Sequence, residues 1–138
     1  MEKKKEKPNN EFRSLLERVC QDLVYISETD APVAPVFGKR NESLFATPMP
    51  EAAGAKPKNP LVVADADDFF KRLTTEKEWF GSRQKKNARG FSKLEKILKK
   101  ELRDLKVFRV GNINIDIYVL GIDKDGKVVG VKTRAVET

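Results

Sequence analysis

The side chains of this sequence that can do chemistry are carboxylates, hydroxyls and one thiol, with no histidine among them. Asp65, Asp67 and Asp68 lie in one short run, Glu28 sits in ISETD, and Glu137-Thr138 follow the strand-like run VVGVKTRAV. Without histidine the commonest general base is missing, and with it the triad hydrolases and most zinc sites. Three aspartates so close together can ligate a metal ion. They equally suit a helix N-terminus, whose partial positive charge favours acids. Glu137-Thr138 place a carboxylate and a hydroxyl side by side, either as a frayed sheet end or as a probe. Cys20, the single cysteine, has no internal partner for a disulfide and falls on the apolar face of a helix, so it reads as a small buried hydrophobe. No catalytic constellation emerges. The expectation is a binding protein without enzymatic activity, without a cofactor and without a metal of its own.

The elements that must position these residues follow from periodicity. Phe12, Leu15, Leu16, Val19 and Leu23 recur at helical spacing, with Asn10 as the expected N-cap. Residues 1–9 are expected to be disordered. The prolines of SETDAPVAP forbid a regular helix, so 27–35 reads as an exposed loop. Residues 38–60 are rich in Pro, Ala and Gly without a period, which predicts a long loop. Leu61-Val62-Val63 reads as a short strand. Asp65 or Asp67 then caps a helix carrying Phe69, Phe70 and Leu73. A basic helix opens at Ser82, with an apolar stripe of Phe91, Leu94, Ile97, Leu98, Leu102 and Leu105. Gly90 weakens its first half, and Ser92 with Glu95 offers a second start. Strands are predicted at 107–110, 113–121 and 127–136, separated by turns at Gly111-Asn112 and Asp123–Gly126. The DKDG turn lacks the rest of a calcium loop. The fold class is α+β: a C-terminal antiparallel meander sheet flanked by helices, in one domain over 10–138.

The 138 residues carry a net charge of +7, which points first to nucleic acid. Its distribution is uneven. Residues 81–106 alone hold ten Lys/Arg against three acids and so account for the whole excess. Segments 12–31 and 61–80 are each mildly acidic. Apolar runs fall far short of the ~20 residues that span a bilayer. The basic start, MEKKKEKPNNEF, has no apolar stretch behind it and contains acids, so neither a secretory signal nor a transit peptide is expected. The expected location is cytoplasmic, and the expected state is a monomer.

Three stretches carry a family resemblance: LVYISETDAP, VVADADDFFKRLTTEKEWF, and the close VFRVGNINIDIYVLGIDKDGKVVGVKTRAVET. In order, in the spacing from Trp79 to Gly111 and in the terminal VET, they resemble the NuiA family. These proteins inhibit sugar-non-specific DNA/RNA endonucleases. The resemblance covers roughly 11–37 and 61–138. It implies an α/β/α sandwich that plugs the active site of a magnesium-dependent nuclease of the ββα-metal kind. By position it implies nuclease contacts at Glu28, Lys77, Trp79 and Thr138, and Glu137, beside the terminal threonine, is expected to join them. Glu28 and Thr138 would approach the partner's magnesium through water. Lys77 stands where the family has a neutral polar residue.

Each of these residues also has an ordinary reading. Glu28 taken alone is a solvated acid, and a lone Trp is more often core than contact. The alternative function is a nucleic-acid-binding module that uses one face of the basic helix over 82–106: Lys85, Arg89, Lys93, Lys96 and Lys100. That face lacks the interleaved aromatics on which single strands stack.

Overall fold

The structure, a computed structural model, describes residues 3–40, 49–54 and 61–138. The elements run α1 (Lys3–Cys20), β1 (Val24–Ile26), β2 (Asp30–Pro32), β3 (Ala34–Arg40), α2 (Met49–Ala52), β4 (Leu61–Ala64), α3 (Ala66–Thr74), α4 (Ser82–Glu101), β5 (Arg103–Val110), β6 (Asn114–Ile122) and β7 (Lys127–Val136). β3-β7-β6-β5-β4 form one sheet, antiparallel throughout, and β1-β2 form a separate hairpin. This is the expected α+β class, with the meander β5-β6-β7 at its centre.

The sheet is buried on both faces because β6 is apolar on both. Ile115, Ile117 and Val119 point into the larger core, with Leu16 of α1, Phe70 of α3 and Phe91, Leu94 and Leu98 of α4. Tyr118, Leu120 and Ile122 point the other way, into a smaller cluster with Phe108 and Val128, against which Ala53 packs just after α2. Cys20 lies in the larger core, where burial pushes its thiol pKa up to about 12. The structural reading of that residue therefore holds.

Several expectations are corrected. α1 begins before Asn10 and ends at Cys20, while Leu23 is buried just beyond it. The stretch expected to be an exposed loop contains β2 and the start of β3. Its prolines are tolerated because β3 is an edge strand and β2 pairs only with β1. Within the expected loop 38–60, residues 38–40 belong to β3 and Met49–Ala52 form a short helix. Residues 41–48 and 55–60 lie outside the described residues. Of the two candidate caps, Asp65 is the one used; it accepts a hydrogen bond from the Asp67 N–H at 2.9 Å.

α4 runs unbroken through Gly90, with Gln84 Oε1 accepting from the Gly81 N–H at 2.8 Å at its start. Gly90 is there for contact rather than flexibility. A Cβ at this position would sit 2.6 Å from Leu23 Cδ2. The helix ends before Leu102, so Leu105 belongs to β5, which starts at Arg103 and is irregular between Arg103 and Lys106. Asp104 takes φ 56 within that irregularity.

Candidate functional site

The tip of the β1-β2 hairpin is short and polar, and hydrogen bonds fix it to the end of β7. Ser27 Oγ accepts from the Val136 N–H at 3.0 Å and donates to the Thr29 carbonyl at 3.2 Å. The Glu28 N–H donates to the Val136 carbonyl at 3.3 Å. From the base of the hairpin, Thr133 Oγ1 donates to the Pro32 carbonyl at 2.9 Å. Strand pairing alone would leave this tip loose; these bonds set where Glu28 points.

Glu28 then meets Thr138. Its Oε2 accepts from the Thr138 N–H at 2.7 Å, and its Oε1 accepts from the Thr138 hydroxyl at 2.8 Å. The backbone N–H and then the hydroxyl of Thr138 hold the Glu28 carboxyl below its ordinary pKa. The carboxylate stands fully in solvent and stays charged to a lower pH than an ordinary glutamate. Two of its roughly four lone-pair positions are used, so each oxygen keeps capacity to accept another donor.

The residue between clasp and strand is held separately. The Glu137 N–H donates to the Ile113 carbonyl at 3.0 Å, and Glu137 Oε2 pairs with Arg109 Nη2 at 2.6 Å. Arg109 is half-buried on β5. Burial alone would lower its pKa, but Glu137 and Tyr25 together hold it above the usual guanidinium value. Arg109 on the central sheet thus holds Glu137 while the hairpin tip holds Thr138.

Trp79 sits in the turn between α3 and α4, closed by the Phe80 N–H donating to the Lys77 carbonyl at 3.0 Å. The indole packs edge-on against Phe80, with centroids 4.9 Å apart, and is otherwise 70% exposed. Lys77 Nζ lies 5.8 Å from its ring centre. The sheet-side hairpin and the start of α4 are tied by Asn87. Its Oδ1 accepts from the Val24 N–H at 3.0 Å, and its Nδ2 donates to the Val24 carbonyl at 2.9 Å. A shallow depression of about 440 Å³ lies between these elements, with Ile26 and Asp30 on one wall and Arg83 and Gln84 on the other. Ile26 and Ile113, which flank the clasp in sequence and in hydrogen bonding, are 60% and 54% exposed.

The family model for nuclease A inhibitor-like proteins matches residues 10–138. The chain belongs to the nuclease A inhibitor-like (NuiA) family. Membership implies nuclease inhibition rather than catalysis, with a nuclease as partner. A search among curated proteins finds no match.

Of the five expected contact residues, Glu28, Glu137 and Thr138 form one connected cluster, and Lys77 and Trp79 form a second. No hydrogen bond, ion pair or ring contact joins the two clusters among the described residues. Ser27, Arg109 and Asn87 were not found in the sequence. Ser27 had a signal, the Ser-x-Thr pattern of a side-chain-stabilised turn. Arg109 and Asn87 had none, since each partner lies at least 28 residues away.

The alternative nucleic-acid face is divided. Lys85, Arg89, Lys93 and Lys96 line one groove between α1 and α4, and Lys100 does not. Arg89 is paired with Glu76 at 3.2 Å. Two of the three aspartates are also committed: Asp65 caps α3, and Asp67 pairs with Lys99, whose pKa is raised by the hydrogen bonds it donates to Asp67 and then Glu95. No helix among the described residues is long and apolar enough to cross a membrane.

Proposed function

We propose that this chain inhibits a magnesium-dependent, sugar-non-specific DNA/RNA endonuclease of the ββα-metal type by occupying its active site with Glu28 and Thr138. The observation that carries the reading is the clasp, a solvent-exposed carboxylate held in one orientation by two short hydrogen bonds from Thr138. Magnesium prefers oxygen ligands and keeps several waters. A scissile phosphate offers such a site its oxygens, and a charged carboxylate on a protruding tip offers the same chemistry without a bond to cleave. The remaining lone pairs of Glu28 accept from metal-bound water. Trp79 supplies the large exposed aromatic that anchors interfaces of this kind, and Glu137 and Lys77 contact the cleft rim.

The segments that carry Glu28, Lys77 and Trp79 are mildly acidic, which suits a phosphate-binding cleft, while the excess positive charge lies on residues 81–106. In this reading the protein acts as a cytoplasmic monomer without enzymatic activity of its own.

The test is plasmid degradation by a recombinant ββα-metal endonuclease with increasing amounts of this protein. The reading predicts protection at a one-to-one ratio that survives added salt and is lost in a Thr138-deleted, Glu28→Ala variant. Protection only at large excess, abolished by salt, would instead mean that the basic helix coats the DNA, because phosphate contacts weaken steeply with ionic strength.

A further inference from the structure

α1 and α4 do not close on each other along their outer edge. They leave an open groove of about 980 Å³. Its floor is apolar: Leu15, Val19 and Leu23 from the first helical segment, and Ile97 from α4. Leu15 is exposed there, and Val19 and Ile97 are half-buried. Gly90 lines the same groove and lets Leu23 approach α4 closely, so the floor is continuous across the junction. The rim is cationic: Arg18 on α1, and Lys85, Lys86, Arg89, Lys93 and Lys96 on α4, against the single acid Asp22.

Among the described residues most of this charge is not neutralised. Among the described residues, Arg89 pairs with Glu76, whereas Arg18, Lys85, Lys86, Lys93 and Lys96 have no ion-pair partner. Like charges spaced three to four residues apart on a helix repel one another. An acidic occupant would relieve that repulsion.

We propose that this groove binds an acidic amphipathic helix of a partner protein, apolar face down on Leu15, Val19 and Ile97, with buried Leu23 closing the floor beneath them and carboxylates against the lysine rim. The dimensions suit it. From Lys85 to Ile97, α4 rises about 18 Å at 1.5 Å per residue, which accommodates about three turns of a second helix. Helix-in-groove recognition places apolar anchors at i, i+3, i+4 and i+7, and the floor offers apolar side chains from both walls. Charge complementarity fixes the sign of the partner. Duplex nucleic acid matches the rim but leaves the apolar floor empty, and no aromatic side chain lines the groove for bases to stack on. A bilayer does not reach a recessed floor. The groove shares no residue with the Glu28–Thr138 clasp or with Lys77 and Trp79. The proposal therefore stands independently of nuclease inhibition.

The experiment uses the full chain and fluorescence anisotropy. The probes are a fluorescein-labelled peptide built on the repeat LEELLEE, an isomer of the same composition with scrambled Leu positions, and a fluorescein-labelled duplex DNA. The amphipathic peptide should bind about tenfold more tightly than its scrambled isomer, and more tightly than the duplex. Leu15→Gln, which changes an exposed side chain, and the Lys93→Glu/Lys96→Glu pair should each weaken it about tenfold. Circular dichroism and a thermal melt establish that the variants are folded. Equal binding of both peptides, indifference to Leu15→Gln, tighter binding of the duplex, or no peptide binding would each overturn the proposal.

Discussion

Replacing Trp79 by alanine separates binding from folding at one residue. A Trp side chain offers roughly 150–250 Å². With the residue 70% exposed, about 105–175 Å² is left for a partner to cover, worth about 2.6–4.4 kcal/mol at ~25 cal/mol per Å². The part already covered by Phe80 and the turn is about 45–75 Å², or about 1–2 kcal/mol of folding stability. Ordering and desolvation at an interface consume part of the binding term, so the expected loss in nuclease affinity is about a hundredfold. Calorimetric titration of the nuclease with Trp79→Ala measures the first quantity, and a denaturant melt of the inhibitor alone measures the second. Adding Lys77→Ala should cost little more, because a cation over an exposed ring contributes about 0.5–1 kcal/mol. An affinity within about threefold of the parent, with the melt shifted as expected, would mean that this indole faces solvent in the complex and that the anchor assignment is wrong.

Three further outcomes follow from the same geometry. Arg109→Met should leave stability nearly unchanged, since a partly exposed ion pair is worth about 0–1 kcal/mol, yet weaken inhibition by releasing Glu137; amide exchange at Glu137 and Thr138 should rise in parallel. Glu28 has a depressed folded-state pKa, so its clasp is present above the ordinary carboxylate pKa and is lost as pH falls through the lowered value. In a carbon-detected NMR titration, its midpoint should lie below that of an ordinary glutamate, return only part-way in Thr138→Val, and return fully when Thr138 is deleted. Gly130→Ala should destabilise by about 3 kcal/mol or more, because its Cβ would lie 1.8 Å from the Val119 backbone carbonyl oxygen and backbone cannot yield as a side chain does; a melt of this variant checks the β6-β7 register.

The sequence made the helices and the meander legible where one period dominated. Ile115, Ile117 and Val119 alternate strictly, and they became the core face of β6. The hairpin and β3 were hidden because Pro32 and Pro35 mimic loop punctuation, and only the edge position of their strands makes them acceptable. Gly90 read as a weakness because propensity is local, whereas its partner Leu23 sits in another segment. The candidate site divides along the same line. Glu28 and Thr138 were named through family resemblance, since neither type nor spacing distinguishes them. Their pairing across 110 residues, and the Arg109–Glu137 support across 28, are long-range products of the sheet register that no local pattern encodes.

The measurement that bears most directly on active-site blockade uses no nucleic acid polymer. A small chromogenic phosphodiester, turned over by a ββα-metal endonuclease in magnesium, reports the catalytic centre itself and offers the basic helix no DNA to coat. Titration with this protein should extinguish turnover at one equivalent, and the Thr138-deleted chain should leave it running. Undiminished hydrolysis of the small substrate at saturating protein would contradict the account, because an active site plugged by Glu28 and Thr138 has no room for any phosphodiester.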